Sequence, residues 1–216
     1  MRFAPVSGGS DPAVTRVVLA SGSPRRKELL AALVRDFEVV VSDVPENMTG
    51  DPVAAATRLA RAKAEAVAAG RSNAIVIGAD TIVHDATRAY GKPADAADAV
   101  AMWRQLRGKT HRVVTGVAVV HEGRVEAGYS EARVDLSHLS DAAIERYVGS
   151  GRPLDKAGAY AIQDEDVPTV ARLDGCYCCV VGLPLWRLAA LLRAAGVDCA
   201  SPDRTFGRCA SCPDRT

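Results

Sequence analysis

No apolar stretch of this 216-residue chain is long enough to cross a bilayer. The first fifteen residues lack the apolar core and cleavage pattern of a secretory signal. Charge of one sign is also missing. The formal balance is +1, so no global basic field argues for a nucleic-acid polymer as partner. No glycine-rich run ends in Gly-Lys-Ser/Thr, which argues against a P-loop ATPase. The four histidines, at 84, 111, 121 and 138, show no metal-ligand spacing, and no Ser-His-Asp arrangement is legible. Six cysteines sit at 176, 178, 179, 199, 209 and 212. Without a secretory signal they are read as reduced thiols in a cytoplasmic protein. Cys209-Ala-Ser-Cys212 has the spacing of half a zinc site, but no second pair matches it in sequence. Cys176, Cys178 and Cys179 stand too close together to supply that pair, so a structural zinc is not expected.

What is present is an α/β pattern. The residues are 48% hydrophobic and 25% charged, which suits one domain or two small lobes. A flexible leader is expected over 1–15, a folded unit with two lobes around a cleft over 16–197, and a disordered Cys-containing tail over 198–216. Within the unit, strands are expected at Val17–Ala20, Phe37–Val41 and Ala74–Gly78, the last ending at Ala79-Asp80-Thr81. Val113–Val120 and Arg124–Leu136 flank the turn-like His121-Glu122-Gly123 and should pair antiparallel. Val180-Val181 is read as a last short strand. Helices are expected over Pro24–Val34, from Asp51-Pro52 to Gly70, over Ala94–Leu106, from Ser140-Asp141 to Val148, and from Pro184 to Gly196. The sheet should be mixed and twisted, with helices on both faces.

The most informative segment is Ser21-Gly22-Ser23-Pro24-Arg25-Arg26, where a strand feeds a helix start. Unpaired N–H groups and the positive dipole end there attract anions. Two guanidiniums match phosphate oxygens and turn that preference toward a polyphosphate. Local chemistry alone leaves an ordinary junction with solvated arginines equally open. Asp80 follows a buried strand, where α/β sheets present side chains to a ligand crevice. A carboxylate there can hold a divalent cation or take a proton from water. Glu46 lies in a polar segment after the second strand; Asp43 competes with it, and a solvated loop acid is the simpler reading. Lys63 falls inside a helix, where solvent exposure is the default. Lys92 sits in the constrained Gly91-Lys92-Pro93 turn. Asp155-Lys156 could be a surface ion pair or could order a loop over a ligand. Gln163 can donate and accept together, which suits reading the edge of a base.

Six ordered stretches carry a resemblance. They are Ser21-Gly22-Ser23-Pro24-Arg25-Arg26-Lys27-Glu28-Leu29-Leu30, Gly78-Ala79-Asp80-Thr81-Ile82-Val83, Gly91-Lys92-Pro93, Thr110–Thr115, Asp155–Tyr160 with Ile162-Gln163, and Val180-Val181-Gly182-Leu183-Pro184-Leu185. Together they resemble the Maf family of nucleoside triphosphate pyrophosphatases. The resemblance implies an inosine-triphosphatase-like architecture with a central substrate cleft. It implies metal-dependent cleavage between the α and β phosphates, with Mg²⁺ or Mn²⁺ as cofactor, in a cytoplasmic protein that forms a homodimer. Asp80 would activate the attacking water and share the metal with Glu46. Ser21, Arg26, Lys63 and Lys92 would hold the triphosphate. Arg25, Thr81 and Gln163 match the subfamily acting on dTTP and UTP; the 7-methylguanosine triphosphate subfamily has an aromatic residue at the first of these. A non-catalytic nucleotide-binding regulator of septum formation is the alternative of another class. Among the departures from the family pattern, Cys176 replaces the usual Ser before Tyr177.

Overall fold

The computed structural model describes residues 16–215, so the leader expected over 1–15 lies outside the described residues. In chain order the strands are β1 (Arg16–Leu19), β2 (Glu38–Val39), β3 (Ala74–His84), β4 (Ala89–Tyr90), β5 (Thr110–His121), β6 (Arg124–Leu136) and β7 (Val170–Gly175). The helices are α1 (Pro24–Ala31), α2 (Pro52–Ala68), α3 (Ala96–Leu106), α4 (Asp141–Gly149), α5 (Tyr177–Val181), α6 (Leu185–Ala194) and α7 (Pro202–Thr205). Their starts obey local chemistry. Ser23, Asp51, Asp95 and Ser140 each turn a side-chain oxygen back onto an early N–H of the helix that follows. Glu122-Gly123 closes β5 on β6 as a two-residue hairpin with both residues at positive φ.

The seven strands form one mixed sheet in the order β2-β1-β3-β5-β6-β7, with β4 on the free flank of β3. Pairing is parallel among β2, β1 and β3 and antiparallel elsewhere. The period of two sends alternate residues to opposite layers. Leu19, Ile75, Ile77, Ala79 and Val117 pack against α1, α5 and α6. Val18, Val76, Ala118 and Val120 pack against α2. Helices therefore cover both faces, as the sequence pattern predicts.

The packing of α2 is unusually close. A Cβ on Gly78 would lie 2.1 Å from the Ala60 carbonyl oxygen, and one on Gly116 would lie 2.4 Å from that of Ala56. Two glycines diagonal to each other on adjacent strands, Gly78 opposite Ala118 and Gly116 opposite Asp80, thus let the alanine face of α2 lie directly on β3 and β5. That approach brings Lys63, on the same face of α2 as Ala60 and Ala64, down onto Asp80.

Several expectations fail for identifiable reasons. Asp80 does not end its strand: β3 runs on to His84, supported along its length by β5. What ends near Asp80 is β1, whose last partner on β3 is Ile77. From there to Val83, where β4 begins to pair, the β1-side edge of β3 carries no strand. Val180-Val181 lies in α5, because Cys176 caps a helix at that point. The second strand shrinks to two exposed residues. β7 is an addition to the expected elements; its sequence, VARLDG, has too little apolar alternation to announce a strand. The C-terminal segment is not an irregular tail. It forms α7 and a 3₁₀ turn at Gly207–Cys209, and it buries Cys209 and Cys212 in the α6 layer.

Gly78→Ala should lower unfolding stability by about 2–4 kcal/mol, since the new methyl meets backbone that cannot yield. Gly149→Ala, which meets nothing within 4 Å, should be neutral or stabilising by up to about 1 kcal/mol. Urea titrations of the two variants measure both. A second expectation concerns pH. His111 is buried, its Nε2 lies 2.7 Å from the Tyr160 hydroxyl, and its Nδ1 has no partner. Burial pushes the imidazole down to about 4. The unfolded chain therefore takes up this proton first as the pH falls. The contribution is intact above about pH 6.5 and fully lost below about pH 4, a loss of about 3 kcal/mol. His111→Phe should flatten the fall in unfolding stability over that window by a similar amount.

Candidate active site

A cleft of about 610 Å³ opens where β1 leaves β3. Its wall includes every site residue that the family resemblance implies, Ser21, Arg25, Arg26, Glu46, Lys63, Asp80, Thr81, Lys92 and Gln163, but not Asp43, the competitor of Glu46. Separate segments supply them. The β1–α1 turn brings Ser21 and both arginines, the stretch after β2 brings Glu46, and α2 brings Lys63. Asp80 and Thr81 come from β3, Lys92 from the loop after β4, and Gln163 from the loop before β7.

On the α2 side, Lys63 Nζ is 2.6 Å from Asp80 Oδ1 and 2.7 Å from Glu46 Oε1. Lys63 and Asp80 are both buried, whereas half of the Glu46 side chain is exposed. That difference decides how each acid responds to the same ammonium. Burial pushes the Asp80 carboxyl above the usual range, and the pull of Lys63 and Arg26 does not fully offset it. Burial also acts on Glu46, but more weakly; hydrogen bonding and charge from Lys63, with Lys92 and Arg26 adding, leave it below the usual range. Two acid oxygens within reach of one small cation are also a fitting donor pair for a divalent ion that takes its remaining ligands from phosphate and water.

On the opposite face of β3, Arg26 is pinned on three sides. Its Nε donates to the Gly182 carbonyl (2.9 Å), and its two terminal nitrogens donate to Ser21 Oγ and Thr81 Oγ1 (both 3.2 Å). Thr81 Oγ1 lies 2.9 Å from Thr115 Oγ1 across the strand pair, and Thr115 donates onward to the Cys179 carbonyl (2.7 Å). With Thr115 committed to Cys179, the hydroxyl chain runs in one direction, from Arg26 through Thr81 and Thr115. Burial lowers the Arg26 guanidinium from its ordinary value, with Asp80 and Glu46 opposing. Arg25 points elsewhere, to Asp155 Oδ2 at 2.9 Å, while Lys156 takes the other oxygen of that carboxylate at 2.6 Å. The Arg25–Asp155 pair links the β1–α1 turn to the loop before Tyr160 at the cleft wall.

The sequence presents Lys63 as a helical lysine whose default is solvent; the structure buries it. Thr115 and the Gly182 carbonyl join the site without having been singled out by sequence. Thr115 carries one signal, a hydroxyl within the apolar run from Val113 to Val120, and the carbonyl carries none.

With this geometry established, comparison with known proteins is informative. Residues 16–195 match the family described as Maf-like protein. A Moorella thermoacetica protein named dTTP/UTP pyrophosphatase is 48% identical over 189 residues, covering 86% of this chain and 97% of the relative. Proteins of the same name from Bacillus mycoides and Bacillus cereus are 45% and 43% identical over 185 residues, covering 85% of this chain and 97% of each relative.

Lys63→Met strands two carboxylates without their shared cation, so it should cost about 3–5 kcal/mol in metal-free buffer. Arg61→Met, in the exposed Arg61–Glu65 pair on the same helix, should cost less than about 1 kcal/mol. Denaturant unfolding of both variants checks the contrast.

Proposed function

The chain belongs to the Maf-like family, and from that premise we propose that it hydrolyses dTTP and UTP between the α and β phosphates, releasing the nucleoside monophosphate and pyrophosphate. One observation carries this reading: an acid pair and a cationic helix start, far apart in sequence, face a single cleft. The names of the relatives supply the bases.

Glu46 and Asp80 would hold a divalent cation, Mg²⁺ or Mn²⁺. When bound, the cation supplies charge neutralisation to the phosphate oxygens and to the departing pyrophosphate. The β1–α1 turn receives the phosphate tail. Arg26, held on its three partners, presents a preorganised positive charge that costs no reorientation when negative charge builds on the leaving group. Ser21, Lys63 and Lys92 add donors around it.

Asp80 accepts the proton of the attacking water. The water oxygen bonds to the α phosphorus, the bridging oxygen leaves with pyrophosphate, and the proton passes to the carboxylate. Burial fits Asp80 for this role better than Glu46, because it raises the proton affinity of Asp80, whereas Lys63 holds Glu46 below the usual range. Arg25 and Gln163 meet the base and sugar end. Thr81 acts through Arg26, whose terminal nitrogen it accepts. On the same reading the enzyme is a cytoplasmic homodimer.

A panel of nucleoside triphosphates with Mg²⁺ or Mn²⁺, scored by pyrophosphate release, should show turnover of dTTP and UTP well above that of purine triphosphates. Turnover confined to 7-methylguanosine triphosphate contradicts the assignment of the base. Asp80→Asn keeps the side-chain volume and removes the proton acceptor, so turnover should fall by about 10²–10⁴-fold. Wild-type turnover in that variant contradicts the role given to Asp80.

A further inference from the structure

Outside the cleft, the densest group of chemically competent side chains lies where the C-terminal segment meets the start of α5. The thiols of Cys176 and Cys178 come from the β7–α5 junction, and those of Cys209 and Cys212 come from the turn after α7. All four cysteines are buried, at 1%, 1%, 1% and 8% exposure, and none of the six cysteines in the chain is in a disulfide.

Two of the sulfurs are in direct contact, Cys178 Sγ and Cys209 Sγ at 3.5 Å. The ligand atoms of Cys176, Cys212 and Asp214 all lie within 4.8 Å of one another. Such spacings suit a tetrahedral ion, for which Zn–S bonds near 2.3 Å imply sulfur–sulfur edges of roughly 3.8 Å.

A second observation points to a missing cation. Among the described residues, Asp214 Oδ2 is buried without a hydrogen-bond partner, beside these thiols. A carboxylate oxygen withdrawn from water with no partner is costly, and neighbouring thiol groups only add to the negative character of the pocket. A soft divalent ion removes that cost and converts the thiols to ligands. Backbone support for thiolates is already in place: Cys176 Sγ accepts the Cys179 N–H at 3.3 Å. The neighbouring backbone is fixed as well, since Trp186 Nε1 donates to the Cys209 carbonyl at 3.0 Å.

We propose that this pocket binds one structural Zn²⁺. Cys176 and Cys212 are fixed ligands, and the remaining two positions are filled from Cys178, Cys209 and Asp214. The ion joins the C-terminal segment to the N-terminus of α5. In sequence the pair Cys209 and Cys212 lacks a partner pair; the fold brings it to Cys176 and Cys178 from a distant part of the chain. The site is independent of the reading given to the cleft, which contains no cysteine.

Metal analysis of the full chain, purified with a reductant and dialysed against a mild chelator, should find about one zinc per chain. Cys176→Ser and Cys212→Ser should each retain less than about a tenth of it. Where those variants fail to fold, wild-type protein answers the question. Replacement by Co²⁺ should give tetrahedral d–d bands and the intense near-ultraviolet thiolate-to-cobalt absorption, which a carboxylate site such as that of Asp80 and Glu46 cannot produce. A mercurial reagent should release the zinc as it titrates the thiols. Absence of zinc from wild type overturns the proposal. Undiminished zinc in both variants, or a cobalt form without thiolate absorption, does so equally.

Discussion

A lysine ammonium buried between two carboxylates is the constraint on which the site depends. Lys63 Nζ reaches Asp80 and Glu46 at 2.6 and 2.7 Å, and no single element could arrange this. Asp80 comes from the middle of the sheet, Lys63 from the helix on top of it, and Glu46 from a loop beyond the sheet edge. A buried charge is tolerable only when paired. The group therefore holds together as a unit. The unit carries an excess of negative charge, two acids to one base, which on the proposed reading a divalent cation would offset.

The fold delivers this arrangement through two features of the sheet. Gly78 and Gly116 remove side chains where α2 crosses β3 and β5, so the helix backbone lies closer than any alanine would permit. The termination of β1 at the level of Ile77 then leaves β3 with an uncovered edge beside Asp80. A cleft forms that reaches both faces of one strand. Asp80 points to the α2 face and Thr81 to the α5 face, so consecutive residues serve the acid cluster and the Arg26 anchor. The alternation of a β-strand, which usually separates core from solvent, here separates the two halves of the site.

Much of this is legible in the chain itself. Cap residues mark the helices, alternating apolar runs mark the hairpin and the mixed sheet, and a polar turn between a strand and a proline marks the wall of the cleft that carries Ser21 and Arg26. What is not legible depends on distant pairing. The apolar run stops at Gly78 and so predicts a strand end at Asp80; the strand continues because β5 pairs with it through His84, which no local pattern reports. None of the side chains of β7 is fully buried and two of them, Arg172 and Asp174, are charged, so its identity as a strand comes from β6. β-branched propensity makes Val180-Val181 resemble a strand, but the Cys176 cap and the packing of α5 override it. The C-terminal cysteines resemble a tail for a related reason. Nothing near them in sequence says that they meet Cys176 and Cys178.

The central claim is that the acid pair and the Arg26 turn grip one metal-bound nucleotide from opposite faces of β3. Anomalous diffraction from crystals grown with Mn²⁺ and a dUTP analogue that cannot be cleaved between the α and β phosphates tests it most directly. The account predicts a manganese peak bonded to Asp80 and Glu46, with the triphosphate running from that ion to the Ser21–Arg26 turn. A nucleotide bound away from that turn, or a metal peak remote from both acids, contradicts it.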